Sequence, residues 1–202
     1  MSVASLAPVA LGFFGLGTGY LIYGPWEFLG KPEKSPELNK SLGQWGIWMP
    51  GFLQFLTGTY LWLGLTLFPT AFGPNVVPGT ETHTALYMAA LAFTAYGVHW
   101  FALGYNRYKG ADMRIDGYMA FAFLWISITG AIVFLNNGTD TPVGILFVLL
   151  ALVYISDIPA SLTEKRSWVR IKGFFHIVTG IWLMYLMFAA VANLAMGISL
   201  WV

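Results

Sequence analysis

The sequence predicts an all-α membrane protein: six transmembrane helices in a compact bundle, with both termini outside. Two observations carry this expectation. Of 202 residues, 57% are apolar, 17% aromatic and only 9% charged, with a mean hydropathy of +0.68, whereas about a quarter of the residues in an ordinary soluble domain are charged. The charges are also segregated. All ten basic residues fall in three alternate connections: Lys31, Lys34 and Lys40; Arg107, Lys109 and Arg114; Lys165, Arg166, Arg170 and Lys172. The positive-inside rule makes those loops (31–41, 106–116 and 163–172) cytoplasmic in a multi-pass protein of the cytoplasmic (inner) membrane. The composition excludes disorder and nucleic-acid binding. The absence of cysteine excludes disulfides, iron–sulfur clusters, thiolate zinc sites and cysteine nucleophiles.

A helix crosses the hydrocarbon core with about 20 mostly apolar residues. Stretches of that kind run over Leu6–Phe28, Leu42–Phe68, His83–Tyr105, Gly117–Leu135, Val143–Leu162 and Gly173–Trp201. Runs such as 144–154 do not alternate as barrel strands would. An odd number of spans would not leave both ends free of basic residues, so six are expected. No basic residue precedes the first span, so no signal peptide is read there. The short loops imply one domain over residues 1–202, built as three helical hairpins closed on the cytoplasmic side.

Small residues crowd the first two spans. Gly12, Gly15 and Gly19 lie on one side of the first, at spacings that let helices approach closely. After the helix-bending Pro50, Gly51, Gln54 and Gly58 share a face. Two readings stay open there: close packing with an interhelical hydrogen bond from Gln54, or a narrowed wall that turns Gln54 toward a solute path.

Ionisable residues are costly inside a membrane and face a cavity or a partner. Three are placed there, His99, Asp157 and His176, with Glu27 near the cytoplasmic end of the first span. Asp157 lies about one turn from a basic loop and has an interfacial lysine or arginine as its alternative partner. His99 shares a face with Tyr96, Leu103 and Asn106, and His176 with Thr179, Gly180 and Leu183. Two histidines on different spans could in principle ligate haem, but no HxxxH spacing accompanies them, and no cofactor or metal is expected. His83, beside Glu81, reads as a wet residue at the outer mouth. The sequence holds no HExxH or GxSxG motif, no paired carboxylates on one face and no phosphate-binding loop, so no enzyme is expected.

Three segments in order carry a resemblance to the amide and urea channel family (the AmiS/UreI type): Gly19–Lys31 (GYLIYGPWEFLGK), Ala102–Asn106 (ALGYN) with Asp112 and Gly117-Tyr118 after it, and Thr179–Met187 (TGIWLMYLM). The resemblance implies a hexamer in the lipid bilayer with one pore per protomer. It also implies a passive path for small neutral polar solutes such as urea or short amides. It places Tyr154 and Phe147 nearest the tryptophans that the family's urea branch carries in its fifth helix. With Gln54, Tyr96, His99, Asn106 and His176 they form the expected solute path, and Glu27 and Asp157 are the membrane-embedded acids. A second resemblance, to the acetate/succinate permeases, rests on Ala7–Gly12 (APVALG) and Phe93–Trp100 (FTAYGVHW). It implies a short-chain monocarboxylate as the solute and ranks behind the first. A non-transporting accessory subunit of a membrane complex is the remaining alternative.

Overall fold

A computed structural model describes residues 7–68, 72, 76–136 and 140–202. The expected start of the first span at Leu6, and residues 69–71, 73–75 and 137–139 of the expected connections 69–82 and 136–142, lie outside the described residues. All regular elements among the described residues are helical: α1 (Ala7–Leu29), α2 (Pro36–Gly46), a π-helical segment (Ile47–Phe52), α3 (Leu53–Leu67), α4 (Glu81–Lys109), α5 (Ile115–Asn136), α6 (Thr141–Thr163) and α7 (Arg166–Met196). Helices α4 to α7 are each long and apolar enough to cross a membrane. α1 is 23 residues long and on average as apolar as α6. α2, the π segment and α3 run end to end, and Pro50, which lacks an amide hydrogen, lies in the π segment.

Local chemistry sets the ends. The Ser35 hydroxyl accepts from the Leu38 amide at 3.1 Å, with Pro36 opening α2. Thr80 and Asp140 cap α4 and α6 in the same way. Gly110, at φ 69°, ends α4, with Arg107 and Lys109 in its last turn against the exposed carbonyls. Gly197, at φ 67°, ends α7. The last span was expected to run to Trp201. Instead the chain turns back after Met196: the Leu200 amide donates to Asn193 Oδ1 at 2.7 Å, and the Tyr185 hydroxyl donates to the Trp201 carbonyl at 2.7 Å.

The six rods close into a ring, with α7 back against α1. The chain-neighbour pairs α1–α3, α4–α5 and α6–α7 are in contact, but the tightest packing lies elsewhere. α1 packs most extensively on α7, α5 on α6 and α3 on α4. Glycine decides these partners. A Cβ on Gly24 would meet the Ile177 amide nitrogen at 2.9 Å, and one on Gly173 would meet the Gly24 carbonyl at 2.8 Å. At the α3–α4 contact, a Cβ on Gly97 would likewise meet the backbone nitrogen of Phe55 at 2.6 Å. Such contacts bring backbones together without a hydrophobic drive, which lipid does not supply. Outside the ring, large apolar side chains stay uncovered, as on α5, where Trp125 is 70% and Tyr118 65% exposed.

Candidate functional site

The inside of the ring is polar at one end and apolar at the other. At the end carrying the basic loops, α1, α6 and α7 bring four ionisable groups together. Lys172 Nζ lies 3.0 Å from Glu27 Oε1 and 2.9 Å from Asp157 Oδ1. His176 Nδ1 lies 2.6 Å from Glu27 Oε2, and Ser161 donates to Asp157 Oδ1 at 2.7 Å. All four are buried. Charges taken from water need partners, and here each carboxylate holds two. An ionised carboxylate only accepts, so Nδ1–H of His176 is the donor. The imidazole is held further by stacking on Tyr20, with centroids 4.5 Å apart.

This cluster corrects one reading of the sequence. Lys172 was counted as a cytoplasmic loop residue in 163–172. α7 begins at Arg166, so Lys172 lies inside the helix, one turn before His176 and on the same inward face. Arg166 also reaches across to α1, donating to the carbonyls of Glu27 at 2.8 Å and Phe28 at 3.0 Å. It thereby satisfies acceptors that the end of α1 leaves open. Glu27, expected near the interface, is only 2% exposed.

Three cavities follow one another along the ring axis. The mouth, about 260 Å³, is bounded by Trp26, Glu27, Arg107, Asp112, Ala160 and Lys172 among others. Its rim carries the Asp112–Arg114 pair, and hydrogen bonds from Arg114 hold the Asp112 carboxyl down to about 2. Past the ionic cluster, a cavity of about 20 Å³ is lined by Tyr20, His99, Trp100, Tyr154 and His176 with the charged groups. Beyond it, another of about 20 Å³ is lined by Gln54, Phe13, Phe93, Tyr96, Phe147 and Leu183. Each of the two has room for about one water. Between them stand Tyr154 and Tyr96, one lining each, with their rings stacked 5.9 Å apart.

The expected path residues are thus mostly gathered in one column. Gln54 and Phe147 line the apolar cavity, and Tyr96 does so while its hydroxyl pairs with Ser127 at 2.9 Å. His99, Tyr154 and His176 line the inner cavity, where His99 packs on Phe123 at 4.7 Å. Asn106 is half-buried at the end of α4 and lines none of the three cavities; its carbonyl accepts from Gly110 and Ala111. The interhelical hydrogen bond considered for Gln54 is not made by its carbonyl oxygen, which is buried without a partner, while Gly51 and Gly58 pack against Phe101 and Thr94. Sequence reasoning missed Lys172, Arg107, Tyr20 and Trp100. The signal was the spacing: Lys172 stands four residues before His176, and Tyr20, Tyr23 and Glu27 stand three and four apart on α1.

No family model matches the chain, and no curated protein matches it by sequence. Solved structures do. In fold, the chain is similar to the bacterial acetate channel SatP. The two superpose with a TM-score of 0.72 at 16% identity, over 95% of each chain. The likeness falls on the second of the two resemblances read from the sequence; the amide and urea channel family is not confirmed.

Proposed function

We propose that this protein is a passive six-span channel for short-chain monocarboxylates of the acetate type, not an enzyme. The carrying observation is the column of cavities through the ring, entered at a mouth where Lys34, Arg107 and Lys172 stand with Glu27, Asp112 and Glu164, and continued between apolar and aromatic walls. The fold it shares with an acetate channel supports the same reading. The three segments around that mouth (31–41, 106–116 and 163–172) hold ten basic residues against five acids, and such an excess concentrates small anions. Past the ionic cluster, the solute meets groups that suit its methyl end, with Gln54 as the polar handle of the apolar cavity. Both inner cavities hold about one water each, so this is a narrowed state, and the Tyr96–Tyr154 layer must shift for a solute to pass. The segregated basic residues support cytoplasmic loops at 31–41, 106–116 and 163–172, both termini outside, and a bacterial-type inner membrane as the location. The uncovered apolar faces suit lipid and further copies of the chain; the hexamer stays part of the proposal.

The test is solute flux into proteoliposomes, with acetate, acetamide and urea assayed separately at neutral pH. Acetate flux about tenfold or more above protein-free vesicles is the expected result. A response to the amides alone overturns the carboxylate reading in favour of the amide one. No response to any solute points to the accessory subunit.

A further inference from the structure

Arg107 is the cation the ionic cluster does not use. It stands in the last turn of α4 and borders both the mouth and the inner cavity. Its guanidinium carbon lies 5.1 Å from the ring centre of Tyr23 and 5.2 Å from that of Trp26. Both rings are themselves tied down. The Tyr23 hydroxyl donates to the Leu42 carbonyl at 2.7 Å, and the Trp26 indole donates to the Pro32 carbonyl at 3.2 Å. The guanidinium plane is therefore held by two fixed aromatic faces.

Held in this way, it has nothing to bond to. Its Nε is buried and has no hydrogen-bond partner. Three acids around it are engaged elsewhere: Glu27 with Lys172 and His176, Asp157 with Lys172 and Ser161, Asp112 with Arg114. Glu164, on the mouth and exposed, forms no ion pair with it. Asp116, buried in the first turn of α5, lies beyond ion-pair distance of it. A guanidinium offers five donors in a planar fork that matches a carboxylate edge-on. Nε is closed off from the cavity, so the terminal nitrogens of Arg107, which make no hydrogen bond to protein groups among the described residues, are the donors an anion entering the mouth of about 260 Å³ can reach.

We infer that Arg107 is the binding site for the solute's carboxylate at the mouth, taking it as a bidentate pair before the ionic cluster is reached. Lys172 does not compete for the role, because both of its carboxylate partners already lie within 3.0 Å. The inference rests on the carboxylate reading above. The site selects for charge and planarity, and the aromatic rings beneath it leave the methyl end of a small acid against an apolar wall.

The test is the concentration dependence of acetate flux in proteoliposomes containing the full chain. R107Q is expected to raise the half-saturating acetate concentration about tenfold or more, while the permeability to acetamide stays as in the parent protein. R107K keeps the charge and loses the fork, and is expected to fall between the two. K109Q removes the same charge from the same helix end, at an exposed residue, and is expected to leave half-saturation unchanged. An R107Q protein that saturates like the parent overturns the inference, as does an equal rise in K109Q, which would show a diffuse field instead of a site. If R107Q does not insert, R107K decides: unchanged half-saturation there overturns the inference. A parent protein that carries amides but no acetate defeats the carboxylate reading itself, a result distinct from any of these.

Discussion

Toward the basic loops, α1, α6 and α7 contribute Glu27, Asp157, Lys172 and His176 to the interior; toward the other end, the same three helices contribute Phe13, Phe147 and Leu183. The helices do not differ. Depth along them does. At the loop end, water lies within a turn or two, and charges can be gathered if each is paired. Deeper in, a polar group without a partner is a liability, and the Gln54 carbonyl oxygen and the Thr179 hydroxyl both stand without one.

The comparison breaks most visibly at Lys172. Replacing it with methionine leaves two carboxylates facing each other without their shared cation. This is expected to cost about 3–5 kcal/mol, read as a lower midpoint of thermal unfolding in detergent. Neutralising the whole cluster in E27Q/D157N/K172M is expected to recover most of that loss. If the triple variant is no better than K172M, the cluster holds the fold by more than charge balance.

The wall between α2 and α4 belongs to neither lining and tests packing alone. A Cβ on Gly104 would lie 2.6 Å from the Gly43 carbonyl and 2.9 Å from the Ile47 nitrogen. Both are backbone atoms and cannot rotate away. G104A is expected to cost about 1–3 kcal/mol by the same measurement.

In the apolar half the sign is expected to reverse. Q54L removes a buried acceptor that makes no bond, so stability should hold or rise by up to about 1 kcal/mol. A loss instead would mean that the amide is bonded to a water or a solute in its cavity. D112N, at the fully exposed rim, is the smallest change: no resolvable shift of the unfolding midpoint, because exposed pairs contribute little.

Much of this was legible in the sequence. Charge segregation located three loops, and hydropathy located the helices but misplaced ends by up to seven residues, as at α7, which begins at Arg166 and not at Gly173. The faces holding Tyr96 with His99, and His176 with Thr179, followed from periodicity. What was not legible was the partner of each group. The spacing of Lys172 and His176 puts them on one face, yet nothing local says that Glu27 lies opposite them. The rule that assigns basic residues to loops also hid Lys172, because it counts charges without asking which way the helix turns them. Asn106 failed for the opposite reason: its spacing matched the inward face, but it lies where α4 reaches its glycine cap and the ring opens.

Glu27 and His176 are hydrogen-bonded across 149 positions of sequence. Chains are synthesised at about 5–20 residues per second, so roughly 7–30 s separate the emergence of the first helix from that of the helix that completes it. During that interval, α1 carries a carboxylate with neither its lysine nor its histidine and lacks the neighbour on which it packs most extensively. It has to wait near the lipid–water border and slide or tilt into place only when the last helix arrives. Assembly of this protein is therefore a closing event: α1, made well before α7, is among the last segments to settle.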